Sequence, residues 1–322
     1  MLAGPAVGPV LDRVTPLAER FRTADRRVHL VGGVVRDLVL GRSSVDLDLT
    51  TDARPAQIKA LVSGWADDVW SQGERFGTIG CRHGDDVYEI TTYRADAYDP
   101  ASRKPVVEFG DTLEGDLVRR DFTINAMALD PTSAELVDPH DGRRDLEEGV
   151  LRTPGPPDVS FDDDPLRMLR AARFVARFGL VPTDELLASM RRHAPRLGIV
   201  SAERIHDELL KLLDGPDPAV GLRVLDEQGL LELFLPEADV DAVVLGRLDD
   251  PIGRLAGLLR HAPVDALRAR LSTLRASKAE AAAVVRTVSG ARGALAAPAI
   301  DPSMLRRLAL DARESIDGVR AL

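Results

Sequence analysis

The octapeptide "VDLDLTTD" (residues 45–52) sets Asp46 and Asp48 two apart in a short run of strand-forming residues. Alternate residues of a strand share a face. The two carboxylates would therefore project together, with Leu47 and Leu49 on the opposite, buried side. Adjacent carboxylates repel unless a cation stands between them. Mg2+ suits the place, because it binds through one or two carboxylates plus substrate phosphates. A pair of such ions can activate an attacking hydroxyl and stabilise a departing pyrophosphate. The competing reading is a solvated edge strand, and the neighbouring sequence decides between the two.

Upstream, "RVHLVG" (27–32) reads as a strand and "GVVRDLVLG" (33–41) as a short helix. Gly32 and Gly33 fall at the junction. Glycine lets the backbone approach a phosphate closely, and a helix start offers free N–H groups. Downstream, "PAQIKALVSG" (55–64) reads as a helix with proline in its first turn. "GTIGCRHG" and "DVYEITTY" read as a hairpin turning at His83-Gly84-Asp85. Glu89 in the second of these strands supplies a third carboxylate. Residues 94–111 are loop-like, with Pro100, Pro105 and Gly110.

Beyond "RTPGPPDV" (152–159) the pattern changes. Leu166, Leu169, Phe174 and Phe178, then Leu186 and Leu187, then Ile205, Leu209 and Leu212 recur at helical spacing. A boundary in this stretch separates an α/β part from a helical part. The 322 residues carry 44% hydrophobic side chains, enough for a buried core, and a net charge of −10. That charge argues against a protein that coats phosphates generally, while leaving room for local arginine clusters. Aromatics make up only 4%, which argues against an aromatic-lined single-strand binder. One cysteine, Cys81, permits no internal disulfide. The N-terminus "MLAGPAVGPV" does not resemble a signal peptide, and no apolar run is long enough to cross a bilayer. The expectation is a soluble, cytoplasmic protein without a membrane partner.

"GGVVRDLVLGRSSVDLDLTT" followed by "RRDFTINAMA" (119–128) closely resembles the tRNA CCA-adding enzyme and bacterial poly(A) polymerase family, within the DNA polymerase β-like nucleotidyltransferases. The resemblance continues through "DGRRDLEEGVLRT" (141–153), "DDPLRMLRAARFVARFGL" (163–180) and "SAERIHDELLKLL" (201–213). It spans about residues 25–235. The implied fold is α+β: a nucleotidyltransferase head with a small mixed sheet (1–135), then a helical neck (136–200), then a helical body and tail that bind tRNA (201–322). The implied metal ligands are Asp46 and Asp48, with Glu89 as the third catalytic carboxylate and a two-ion Mg2+ site. Gly32, Gly33, Arg36 and Arg120 correspond to nucleotide contacts. Asp164, Arg167, Arg170 and Arg173 correspond to the family's nucleotide-binding helix. One departure is visible: that motif often begins Glu-Asp, and here it begins Asp163-Asp164.

The chemistry of Asp164 and Arg167 suits such a role. Three residues apart on a helix, they would be neighbours on one surface. Cytosine and adenine both present an exocyclic amine beside an unprotonated ring nitrogen. A carboxylate accepts from the amine and a guanidinium donates to the nitrogen. Uracil and guanine would set a carbonyl against the carboxylate, leaving buried acceptors unpaired. The alternative is a plain surface ion pair between the two.

The resemblance implies addition of CCA to tRNA from CTP and ATP, releasing pyrophosphate. The loop 94–111, with Asp99 and Arg103, resembles the family's flexible loop, implicated in the switch to ATP; its presence favours full CCA addition. "SQGERFGTIG" and "YEITTYR" look more like a CCA enzyme than a poly(A) polymerase. The alternatives are a poly(A) polymerase, a CC-only or A-only enzyme, and an inactive RNA-binding homologue, which would be free to lose the aspartates. His206-Asp207 could suggest a phosphohydrolase metal site, but no further metal-binding motif accompanies it, and His261 has no partner motif. The expectation is that this pair is polar surface. Some bacterial relatives carry an added HD domain after the tail; the expectation is that this chain has none. The basic residues of "RHAPVDALRARLSTLRASK" (260–278) could meet tRNA phosphates or simply face solvent.

Overall fold

The computed structural model describes residues 2–43, 45–95 and 108–296. The chain divides into two compact units, 1–156 and 157–322. The first is built on a sheet, the second on helices.

The first unit begins with α1 (Val7–Thr23), which buries Val7, Val10, Val14, Leu17, Ala18 and Phe21. This stripe at helical spacing packs with Leu30, Leu47, Leu49, Ile58, Ile79, Tyr88 and Ile90 into one core. Then come β1 (Val28–Val31), α2 (Gly33–Val39), β2 (Leu47–Thr51), α3 (Pro55–Val62), β3 (Asp68–Trp70), β4 (Thr78–His83) and β5 (Asp86–Thr92). Two short strands, β6 (Arg94–Ala95) and β7 (Glu108–Phe109), pair with each other. α4 (Leu113–Val118), β8 (Ala128–Leu129), β9 (Leu136–Val137) and α5 (Gly142–Glu148) follow. The main sheet has seven strands in the order β3-β4-β5-β2-β1-β8-β9. β2 and β5 run parallel, and the other described neighbours in this sheet run antiparallel. The β4–β5 hairpin turns at Gly84-Asp85, closed by the pair His83 and Asp86, as the sequence predicts.

The sheet-and-helix head and the mostly helical remainder match the expected fold class. Two positions differ. β2 begins at Leu47, so Asp46 stands at its entrance and is not a strand residue. A head ending at residue 135 would separate β9 from β8, to which it pairs at Ala128–Val137 and Leu129–Leu136. The compact unit continues to Pro156.

The second unit contains α6 (Pro157–Asp163), α7 (Arg167–Phe178), α8 (Asp184–His193), α9 (Ala202–Leu213), α10 (Pro218–Glu227), α11 (Leu231–Phe234), α12 (Ala242–Gly246), α13 (Pro251–Leu258), α14 (Val264–Thr273) and α15 (Lys278–Ala296). α7 packs against α9 and α10. The α7–α10 approach is close at Gly221: a Cβ there would fall 2.4 Å from the Ala172 carbonyl oxygen. Side-chain caps define several starts: Thr183 Oγ1 accepts from Leu186 N, Ser201 Oγ from Arg204 N, and Asp250 Oδ1 from Gly253 N. Among the described residues, no helix is long and apolar enough to cross a membrane.

Candidate active site

The parallel β2–β5 ladder sets Asp48 directly opposite Glu89. In-register neighbours share a sheet face, so the two carboxylates stand together. Leu47, Leu49, Tyr88 and Ile90 point the other way into the core. Asp48 is half-buried, while Asp46 and Glu89 are exposed. Burial pushes the Asp48 carboxyl above its usual range, Glu89 and Asp46 add to the shift, and Arg120 opposes it. These influences bring Asp46, Asp48, Glu89 and Arg120 into one electrostatic neighbourhood.

Among the described residues, no three His, Cys, Asp or Glu side chains form a preformed metal cage. The site nevertheless fits a hard divalent cation by its donor chemistry. Its donors are oxygens, and the most buried carboxyl is destabilised as an anion by its own neighbours. Mg2+ needs only one or two such carboxylates and takes the rest of its shell from water and phosphate.

The glycine turn lies between β1 and α2. Gly32 has φ +74°, a conformation that excludes most side chains. A Cβ at Gly32 would lie 3.2 Å from Arg120 Nη1, and one at Gly33 would lie 3.5 Å from Arg36 Nη2. Both guanidiniums therefore press up to the glycines. Arg120 Nη2 donates to Asp116 Oδ2 at 3.0 Å. The same oxygen accepts from Thr50 Oγ1 at 3.2 Å, and Asp116 Oδ1 accepts from the Arg94 N–H at 3.2 Å. Asp116 thus ties together β2, the start of β6 and Arg120. Arg94 is pushed below its usual pKa by burial, with Asp116 opposing and Arg119 and Arg120 reinforcing the shift.

Arg36 is more enclosed than its expected role suggests. It is 9% exposed. Its Nη1 donates to Asn125 Oδ1 at 2.7 Å, and its Nε and Nη2 donate to Asp37 Oδ1. Asn125 Nδ2 in turn donates to Asp121 Oδ1 at 2.9 Å. The "RRDFTINA" segment is thereby fastened to the glycine turn through buried polar contacts.

In the second unit, Asp164 is not on a helix. α6 ends at Asp163 and α7 begins at Arg167. Pro165 explains the break, since the residue before a proline is disfavoured in helical conformation. Asp164 Oδ1 accepts from Leu166 N at 3.2 Å, and its Oδ2 accepts from Arg204 Nη2 at 2.8 Å. Arg167 Nη1 donates to Ser160 Oγ at 2.8 Å. Asp164 pairs with Arg204 on α9, and the Asp164–Arg167 surface pair is not what the structure shows.

Arg170 and Arg173 both lie over the Phe174 ring, at 5.8 and 4.7 Å from its centroid. Arg173 also makes a buried ion pair with Glu208 on α9. The structure therefore engages Arg173, expected as a nucleotide contact, within the helical packing. His206 also departs from expectation: it is 4% exposed, with Nε2 3.4 Å from Glu280 Oε2, whereas Asp207 is exposed. On successive helical positions, His206 is turned into the packing and Asp207 toward solvent. Asp99 and Arg103 lie outside the described residues, though the pairing of β6 with β7 ties the ends of that segment together.

Sequence reasoning did not single out Asp116, Asn125 or Arg204. Asn125 and Arg204 lie inside the quoted motifs, but their partners are 89 and 40 residues away. Asp116 is four residues before Arg120 on a helix edge, a spacing that suits ion pairing.

Residues 28–152 match the family model described as the poly A polymerase head domain. Residues 179–241 match one described as a probable RNA and SrmB-binding site of polymerase A. The chain is 36% identical over 241 residues to the CCA-adding enzyme of Latilactobacillus sakei subsp. sakei (strain 23K), covering 74% of this chain and 59% of that protein. It is 40% identical over 229 residues to the CCA-adding enzyme of Geobacillus thermodenitrificans (strain NG80-2), covering 71% and 55%. The chain thus spans little more than half the length of these curated relatives. The crystal structure of the Bacillus stearothermophilus CCA-adding enzyme in complex with CTP superposes with a TM-score of 0.73 at 27% identity, covering 99% of this chain and 78% of that one.

Proposed function

The chain belongs to the family of the poly A polymerase head domain and the CCA-adding enzymes, and we propose that it adds CCA to the 3′ end of tRNA without a template. CTP and ATP are the donors and pyrophosphate is released. The observation that carries this reading is the register of Asp48 against Glu89, with Asp46 beside them and Arg120 held at Gly32. That face can hold a metal-bound triphosphate next to an attacking hydroxyl.

The reaction is attack of the tRNA 3′ oxygen on the α-phosphorus, with cleavage of the α–β phosphoanhydride bond. Asp46 and Asp48 would hold Mg2+, with Glu89 completing the acidic face. Bound there, the cation supplies positive charge to the α-phosphate and to the departing pyrophosphate. Gly32 lets phosphate oxygens approach the backbone. Arg120, anchored by Asp116, directs its remaining N–H groups toward them. Arg36 holds the turn in shape through Asn125 and Asp37. The cytoplasm is the proposed compartment.

Asp164 and Arg167 would select the base. Arg204 and the Leu166 N–H orient the Asp164 carboxylate, and each of its oxygens retains a lone pair for the amine of C or A. Replacing Asp164 with alanine removes the attraction to an amine and the repulsion of a carbonyl. Use of CTP and ATP should fall, while UTP and GTP rise relative to them. A charge-assisted hydrogen bond is worth roughly 1.5–3 kcal/mol, so discrimination should drop by about one to two powers of ten. The measurement is single-nucleotide incorporation with each of the four triphosphates. An equal slowing of all four would make Asp164 structural.

The product is decided by incubating the chain with tRNAs ending before C, after C and after CC, each with one nucleotide at a time. C should be added to the first two and a single A to the third. Repeated A addition would make the chain a poly(A) polymerase. Shortening the segment between β6 and β7 should preserve C addition and suppress A addition. Equal loss of both steps would limit that segment to supporting the fold.

A further inference from the structure

We infer that Trp70 is a stacking platform for a base at the 3′ end of the acceptor RNA, an inference that rests on the function proposed above. Trp70 on β3 pairs with Gly80 on β4, Gly80 with Glu89 on β5, and Glu89 with Asp48 on β2. In-register partners point to one face, so Trp70 lies in the same row and on the same face as the carboxylates. Gly80 leaves a gap in that row. A Cβ there would fall 2.1 Å from the indole Nε1 and 2.2 Å from Cε2. The indole is therefore laid across the Gly80 backbone, toward Glu89, and any larger residue at position 80 would displace it.

Despite that contact, Trp70 remains 37% exposed. The other tryptophan is committed internally: Trp65 stacks on His83 at 4.2 Å and meets Tyr88 edge-on. Position explains the difference. Gly80 lies two strand spacings, roughly 10 Å, from Asp48. An RNA whose terminal 3′ oxygen sits at the carboxylates has its last bases within that reach. The surroundings are cationic where a phosphodiester would pass. Arg75 lies over the exposed Phe76 ring at 4.5 Å, and Arg94 Nη2 donates to the Phe76 carbonyl at 3.0 Å. Arg94 belongs to this face through Asp116 and Thr50. Base–aromatic stacking tolerates any base, which suits an acceptor end that changes as it grows. One ring beside the carboxylates is a different device from the run of rings that the low aromatic content argues against.

The test uses the full chain and tRNA ending in CC. RNA is varied at saturating ATP, and ATP at saturating RNA, for the wild type, Trp70→Ala and Trp70→Phe. Trp70→Ala should raise KM for RNA about tenfold, within the range for loss of one stacked base. KM for ATP should stay unchanged, and Trp70→Phe should recover most of the loss. In a Trp65→Phe background, RNA ending in CC should quench the remaining indole emission more than RNA lacking those nucleotides. Unchanged KM for RNA in Trp70→Ala, or equal quenching by the two RNAs, would overturn the platform. A parallel rise in KM for ATP would overturn it too, because Trp70 would then support the sheet. If the wild type adds no nucleotide, the functional reading fails, and the quenching comparison still decides the platform.

Discussion

Replacing Asp48 with alanine or asparagine is expected to lower nucleotide incorporation by about three powers of ten, leaving the fold intact. Losing one carboxylate of a cation site removes several kcal/mol of transition-state stabilisation, and each 1.36 kcal/mol is about tenfold in rate. The fold should survive because ionised Asp48 is a strain on the sheet: burial and the charges of Glu89 and Asp46 raise its pKa. A carboxyl whose folded pKa exceeds its unfolded value stabilises the fold when protonated and loses that contribution as pH rises through the folded pKa. The amide that replaces it stays neutral throughout. At neutral pH without divalent cation, Asp48→Asn should therefore melt no lower than wild type, and any gain should shrink as pH falls toward the ordinary carboxylate range. Mg2+ should raise the wild-type Tm and do so much less in the mutant. Near-normal incorporation in Mg2+, or a fold that collapses on losing this charge, would remove Asp48 from the metal site.

The second large effect is on stability. Arg173→Ala should destabilise the helical unit by about 3–5 kcal/mol, because it leaves Glu208 buried and unpaired. Glu208 has only 3% of its side chain exposed, and its partner 13%. A loss of that size corresponds to a fall in Tm on the order of 10 °C for a unit of this length. Replacing both residues with apolar side chains of similar size should recover much of the loss, since no charge is then stranded. A stable Arg173→Ala protein that has lost only nucleotide affinity would instead place Arg173 at the nucleotide.

Much of this arrangement is legible in the chain. Strand alternation at Leu47 and Leu49 fixes which way Asp48 points, and the proline-rich stretch 152–159 marks the division between the units. Local composition misleads where one residue outweighs a pattern. Pro165 ends α6 and takes Asp164 off the helix, although its spacing from Arg167 is helical. α1 is hard to read because Gly8, Pro9 and Pro16 interrupt its text, while Val7, Val10, Val14, Leu17 and Phe21 still form one buried stripe. β8 and β9 are two residues each, too short to show alternation. The long-range polar contacts of Arg36, Asp116 and Arg204 leave no local periodicity, so only folded geometry reveals them.

The parallel β2–β5 ladder also bears on when the proposed site can assemble. Its partners are distant in the chain: Thr50 and Thr91, joined across it, are 41 residues apart. The contact between Arg36 and Asn125 spans 89. Loop closure must precede pairings of this kind, which makes them slow to form. A nascent chain that has emerged only through its aspartates holds the acidic residues without Glu89 beside them. Until residues 120–125 fold back, the glycine turn also lacks Arg120 and its helix lacks the Arg36–Asn125 contact. On the function proposed above, partly synthesised or partly folded head units would not use nucleoside triphosphates, and activity would wait for the whole sheet to close.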